Sequence, residues 1–520
     1  MFDFFRQALD NITYATFFPT VIIVFLAFFY YYYIRVLQSE RGTCEWISMR
    51  IATPNKLTVI NDRYPLGKTD ILPIIIIALV FMCFALFNLG ETTPVDVMVE
   101  IDTPTEGRNH LNNLYFDEIY FVRTAVEHIN HINAYEWTHP PLGKNIIAIS
   151  ILAFGESPFG WRLMGAISGV IMLLVMYIFI KNLFGKTPVA LCGALLLGFD
   201  FMRLVQSRIG TIDTFAVLFI LISYYFMYRY ITTKPGALLR KSLLPLALSG
   251  LFYGLSFSVK WVGFYAGAGL LVIYCIRLVQ LGVYYSNNDK RGFSSYLLKT
   301  LFYSTLFFVV IPAVVYYVNY IPYGLAWGIA TGGEMILMPD FFRIFWSNQV
   351  SMFYYHSTLD AVHGGSSVWW QWLFNIKPIL YVNNHVGDMR STYGAFGNPV
   401  LYWGGLVAMI VMAIRVFTHR DGKALMILIG YLALLLPWVA VTRVVFAYHY
   451  LPSTLFLVLA VAHVFNTMLE RNKKSRKLYV YGFTSVAGIT FAIFYPMLAG
   501  MYLPHWYYSD LIKWLPSWPF

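Results

Sequence analysis

The chain has 520 residues, 58% of them hydrophobic and only 12% charged, whereas a soluble domain carries about 25% charged residues, so most of this chain does not face water. The formal net charge is +11, but Lys and Arg are scattered between apolar runs and form no patch, which excludes a nucleic-acid-binding surface. Four cysteines, Cys44, Cys83, Cys192 and Cys275, make no CxxC pattern, so neither a zinc cluster nor a disulfide framework is indicated.

Apolar runs of about 20 residues, the length that crosses a hydrocarbon core, recur along the chain. The first, 15–36, is too long and aromatic for a signal peptide and lacks a small-residue cleavage site, so it predicts a retained span. Further spans are predicted near 71–90, 161–184, 187–203, 211–230, 244–258, 261–281, 300–320, 399–416, 424–441, 449–468 and 478–500. The expected fold is therefore all-α and polytopic, with about twelve transmembrane helices. Three parts are expected: an extra span and basic loop over 1–70, a membrane domain over 71–504, and an aromatic tail over 505–520.

Alternating the loops between the two sides separates the charges. One side collects Arg41 to Lys68, Lys181 and Lys186, Lys234 to Lys241, Lys290 to Lys299, Arg415 to Lys423 and Arg471 to Lys477. That side holds most of the basic residues and is cytoplasmic by the positive-inside rule. The opposite side carries two long segments, about 91–160 and 321–398, and the C-terminal tail. Within the first, "LGKNIIAISILAFG" is too short to span and predicts an interfacial or re-entrant helix.

Ionisable groups converge on this outer side. Asp117, Glu118 and His139 lie in the first segment. Gln206, Arg208 and Asp213 sit at one outer turn, Lys260 and Trp261 at the next. His356, Asp360 and His363 occupy the second segment, and Arg443, His449 and Tyr450 a last turn. Taken singly, each has a plain reading: a Lys or Arg at a span end is most often a snorkelling anchor, and Trp369 and Trp370 suit the headgroup belt. The His356, Asp360 and His363 spacing is not diagnostic of a metal. Anchors, however, would populate both faces, and these groups favour one.

A sugar carried on a polyprenyl phosphate presents its reactive phosphodiester at the membrane surface. Transfer to a hydroxyl needs a carboxylate base, because an alcohol is a poor nucleophile at neutral pH. The phosphate leaving group needs cations instead of an acid. Carboxylates, cations and an aromatic interface on one face meet that demand.

The ordered segments "FDEIYF", "EWTHPPLGK", "FGWRLMGAISG", "FDFMRLVQSRIGTIDTF", "KWVGFYAG", "YYHSTLDAVHGGSSVWWQW", "YGAFGNPVLYWGG" and "RVVFAYHYLP" resemble the protein O-mannosyltransferases in their prokaryotic form, over about 75–500. The resemblance implies a C-type glycosyltransferase fold in the cell membrane, a polyprenyl-phosphate mannose donor and Ser/Thr hydroxyls of secreted or membrane proteins as acceptors. It implies Asp117 as the base with Glu118 as its necessary neighbour. His139, Pro140, Pro141 and Lys144 match a motif that shapes the first outer segment, and Arg162 matches a required arginine. Arg208, Lys260 and Arg443 are then candidates for the donor phosphate, with Trp261, His449 and Tyr450 on the donor side. His356, Trp369 and Trp370 fall on the acceptor side. No cofactor is implied with certainty; a divalent cation and a second copy of the chain are left open.

The sequence also departs from the family. Segment 321–398 is too short for the β-trefoil module that eukaryotic members insert, the 1–70 region is extra, and the residues around Trp369 and Trp370 differ from the usual pattern. A transferase acting on a lipid or wall polymer is the alternative, although "THPPLGK" reads differently in the lipid A aminoarabinose transferases. A transporter is disfavoured by clean span interiors and the absence of matching halves.

Overall fold

The computed structural model describes residues 63–91, 114–234, 239–288, 290–331, 339–470 and 473–520. The predicted span at 15–36 and most of the basic loop after it lie outside the described residues. Among those described, ten helices are long and apolar enough to cross a membrane, or eleven if a bent pair counts as one span. Each corresponds to a predicted span of the sequence, with ends shifted by a few residues.

The helices differ in how much lipid they meet. Pro158–Phe184, Asp213–Ile231 and Ala447–Glu470 are mostly buried inside the protein, whereas Lys68–Leu86 and the long helical stretch 294–328 present most of their surface outward. The three central helices therefore carry the core, and the peripheral ones form its lipid-facing rim. The stretch 294–328 contains a π-helical turn, Leu306–Val310, that ends two residues before Pro312. A proline supplies no backbone N–H, and a wider turn relieves its clash with the preceding carbonyls.

The span predicted as continuous over 187–203 is broken. Thr187–Gly198 and Phe201–Ser207 meet at 62°. Asp200 starts the second helix by accepting from the Arg203 amide at 3.3 Å. The Arg203 guanidinium turns back to donate to the Leu197 and Gly198 carbonyls at 3.0 and 2.8 Å, which the break leaves without helical partners. Asn398 closes the corner by donating to the Phe199 carbonyl. Backbone broken at membrane depth must be satisfied by neighbours in this way.

The all-α expectation needs one amendment. Strands β1 (Ile379–Val386) and β2 (Met389–Ala395) form an antiparallel hairpin, and β3 (Leu503–Pro504) pairs with the start of β2. The turn is Gly387-Asp388, with Gly387 at φ +57°, a left-handed conformation that glycine adopts without strain. The tail 505–520 is tied into the fold: Trp518 is 1% exposed and its indole donates to the Asn375 carbonyl at 2.8 Å.

Helices Glu118–Ile129 and Leu142–Phe154 stand at one end of the bundle, where the second is the short apolar helix the sequence predicts. Gly143 in "PPLGK" lets it sit close to the bundle. A Cβ there would lie 2.6 Å from the Ile212 side chain.

Candidate active site

Asp117 is the residue immediately before helix Glu118–Ile129. Phe116, just before it, has φ +50°, a strained conformation for a bulky side chain. Its ring stacks on Tyr381 of the hairpin at 4.1 Å between centroids, which holds the turn in place. The Asp117 carboxyl is raised to about 7, first by burial and then by the nearby negative charge of Asp213; Lys260 opposes the shift, and Tyr448 donates a hydrogen bond. A carboxyl in that range is poised to exchange a proton at neutral pH.

Glu118 plays a different part. It is fully buried and accepts from Arg162 Nε and Nη2 at 2.7 and 2.9 Å, and from the Gly210 amide at 2.8 Å. Arg162 Nη1 donates to the Leu89 and Glu91 carbonyls at 3.1 and 3.0 Å. This bidentate pair fixes the start of the helix, and with it Asp117, against the first and second described spans. Gly210 permits the approach, since a Cβ there would lie 2.6 Å from Val122.

The "EWTHPPLGK" motif folds around Glu136. Lys144, with no exposed surface, donates to Glu136 Oε2 at 2.7 Å and to the Glu136 and His139 carbonyls at 2.8 Å each. His139 Nδ1 lies 3.0 Å from Glu136 Oε1. The Glu136 carboxyl is held well below its ordinary range by Lys144 and His139, which outweigh its burial. Burial lowers His139 despite this partner. His356 Nε2 lies 2.7 Å from the Thr138 carbonyl, its ring 5.5 Å from that of His139, and burial next to His139 and Arg443 lowers it to about 4. The His356 imidazole is therefore neutral at pH 7.

A cavity of about 530 Å³ opens beside this framework, lined by His139, Pro140, Lys260, Trp261, His356, Asp360, Trp438 and Arg443. Lys260 Nζ donates to Asp213 Oδ1 at 2.8 Å and sits 5.3 Å from the Tyr448 ring centroid. Trp261 is fixed through its indole N–H to the Tyr316 hydroxyl at 3.1 Å. Arg443 donates to the Val444 carbonyl at 3.3 Å and forms no ion pair among the described residues. The cavity thus holds one cation paired with Asp213, the Asp360 carboxylate, and Arg443, which makes no ion pair among the described residues. Such a wall suits an anionic ligand.

Other candidates from the sequence lie elsewhere. Arg162 and Arg208 line a separate cavity of about 320 Å³, together with Tyr115 and Tyr393. Arg208 Nη1 donates to the Phe84 and Ala85 carbonyls at the end of Lys68–Leu86 at 2.7 and 3.2 Å, so it caps that helix. The structure does not bring either arginine to the cavity of Lys260 and Arg443. Tyr450 is fully buried and hydrogen-bonds the Tyr431 hydroxyl at 2.7 Å. His449 lies beneath the cavity wall, its ring 4.5 Å from that of Trp438. Trp369 packs against the core and Trp370 is exposed; neither lines the cavity. Among the described residues no three His, Cys, Asp or Glu side chains are grouped to hold a metal ion, so His356, Asp360 and His363 form no such cluster.

Sequence reasoning missed Glu136 and Tyr448. Glu136 stands three residues before His139 and eight before Lys144, and an acidic residue next to a motif lysine was a usable signal. Tyr448 had none, because its importance comes from Asp117 across the fold.

The model of the dolichyl-phosphate-mannose-protein mannosyltransferase matches residues 151–322. That of the C-terminal four-span region of protein O-mannosyltransferase matches residues 341–518. A polyprenol-phosphate-mannose–protein mannosyltransferase of Mycolicibacterium smegmatis is 27% identical over 428 residues, 73% of this chain and 81% of that protein. The Corynebacterium glutamicum protein of the same description is 26% identical over 433 residues, again 73% and 81%. The fold is similar to that of the S. cerevisiae protein O-mannosyltransferase Pmt1-Pmt2 complex bound to the sugar donor, with a TM-score of 0.72 at 14% identity over 89% of this chain and 94% of that one. With two family regions matched in order over most of the helical bundle, the chain belongs to the protein O-mannosyltransferases, a family of membrane glycosyltransferases.

Proposed function

We propose that the protein transfers a mannosyl residue from polyprenyl-phosphate mannose to Ser or Thr hydroxyls of secreted or membrane proteins at the outer face of the cell membrane. The observation that carries this reading is the pairing of a carboxyl raised to about 7, Asp117, with a neighbouring cavity walled by Lys260 and the unpaired Arg443.

The reaction is a single displacement. Asp117 accepts the hydroxyl proton as the acceptor oxygen forms a bond to the anomeric carbon. The bond from that carbon to the phosphate oxygen breaks, and its electron pair leaves on the polyprenyl phosphate. The configuration inverts. Arg443 and Lys260 hold the phosphate and oppose the charge that develops on it, which is where electrostatic stabilisation is most effective. Glu118, through Arg162, fixes the position of Asp117, and Glu136 with Lys144 fixes the His139 wall.

The test is transfer of labelled mannose from polyprenyl-phosphate mannose to a Ser/Thr peptide, with a glycolipid acceptor as a second arm and EDTA as a third. Asp117→Asn should abolish transfer while donor binding persists. Near-normal turnover by that variant would remove Asp117 as the base. Preference for the glycolipid would assign the acceptor to the alternative class. EDTA-sensitive transfer restored by a divalent ion would add that ion to the phosphate-binding charges.

A further inference from the structure

At the cytoplasmic end of the bundle, far from the outer carboxylates, Arg277 is 3% exposed and has no carboxylate partner among the described residues. Its Nη2 donates to the Thr233 carbonyl, but Nε and Nη1 have no acceptor. Thr300 is 1% exposed and its hydroxyl is also unsatisfied. Tyr230 and Tyr296 lie in the electrostatic reach of Arg277. A buried guanidinium without a counter-charge is strongly disfavoured unless something anionic meets it.

An apolar groove of about 430 Å³ begins one helical turn above this cluster, lined among others by Met227, Tyr253, Leu271, Tyr274, Ser304 and Val309. Three helices place the groove and the cluster in the same order. Met227 precedes Tyr230 and Tyr274 precedes Arg277 by three residues on helices that run inward, and Ser304 follows Thr300 by four on one that runs outward. Residues three or four apart share a helix face. Ser304 donates to the Tyr274 hydroxyl at 2.7 Å, and the Tyr230 and Tyr274 rings stack at 5.9 Å, so the walls are joined at that level. The mouth opens to the hydrocarbon, with Leu271 and Val309 both more than half exposed. Lys234 directly follows Thr233, and Arg240 and Lys241 begin helix Leu239–Val259, so basic residues stand at the level of the cytoplasmic headgroups.

We infer that this is a binding site for a phospholipid of the cytoplasmic leaflet, with its phosphodiester on Arg277 and Thr300 and an acyl chain in the groove above. Every unsatisfied group at the polar end is a donor, which a phosphate with its several acceptor oxygens completes. The site is separate from the donor cavity and does not depend on the proposed reaction.

The full chain is reconstituted in vesicles of phosphatidylethanolamine and phosphatidylglycerol, extracted in mild detergent, and weighed by native mass spectrometry. The wild type should retain one phospholipid. Retention should fall about tenfold in Arg277→Met, the loss expected for charge-assisted hydrogen bonds. Leu271→Trp, which fills the groove and leaves every polar group in place, should lower it as well and decides the matter if Arg277→Met fails to fold. Equal retention by wild type and Leu271→Trp overturns the inference. So does a wild type that carries no lipid, or one whose retained species is polyprenyl phosphate.

Discussion

Replacing Asp213 by Asn should move the acid limb of mannosyl transfer to lower pH. Asp117 acts as a base only when ionised, so with a carboxyl near 7 the rate should rise roughly tenfold between pH 6 and pH 8, where an ordinary carboxylate would give a flat profile. Asp213 raises Asp117 by like charge and also pairs with Lys260 at 2.8 Å. Its neutralisation removes the repulsion and frees the Lys260 charge to act on Asp117, and both effects lower the Asp117 pKa. A drop of about one unit, at the low end for a single neighbouring charge, lifts the ionised fraction at pH 6 from roughly a tenth to about one half. Lys260→Met removes an opposing cation and should move the limb upward. The assay is kcat/KM for a Thr peptide from pH 5 to 9 at fixed ionic strength, read as the ratio of rates at pH 6 and pH 8. The donor phosphodiester does not titrate in this window, so the limb belongs to the enzyme. An unchanged limb in Asp213→Asn, or shifts of the same sign in both variants, would refute the assignment.

Three further outcomes follow from the same contacts. Glu118→Ala should destabilise the protein by about 3–5 kcal/mol in thermal unfolding, because it strands Arg162 as a buried charge; the Glu118→Ala/Arg162→Met double variant should recover part of that loss. Arg443→Ala should raise KM for the donor about tenfold while leaving the acid limb near its wild-type position, since the phosphate contact and not the base is removed. Trp518→Ala should cost about 3–5 kcal/mol through loss of a buried indole and its bond to the Asn375 carbonyl, detectable as earlier unfolding and faster proteolysis of the tail.

The membrane architecture was legible in the linear sequence because hydrophobic length is a local property. Each predicted span over the described residues is helical, one of them broken in two, and the carboxylates and cations singled out in the sequence gather at one end of the bundle. The break at Asp200 was not legible, because it depends on Arg203 and Asn398 satisfying carbonyls that only the folded chain exposes. The β1–β2 hairpin was missed although its Gly387-Asp388 turn is local, whereas the pairing of β2 with β3 joins residues more than a hundred positions apart, across the last four described spans.

The sequence by itself determined which residue types gather between the spans at one end of the bundle, and a family likeness suggested the division of labour between Asp117 and Glu118. Only the tertiary structure decided which cations share a cavity. Arg162, Arg208, Lys260 and Arg443 look alike in one dimension, each a basic residue near an outer turn. In three dimensions Glu118 saturates Arg162, helix-end carbonyls hold Arg208, Asp213 engages Lys260, and Arg443 makes no ion pair among the described residues. The reason is physical: a residue's chemistry at a site is set by what its partners leave unsatisfied, and those partners are distant in sequence.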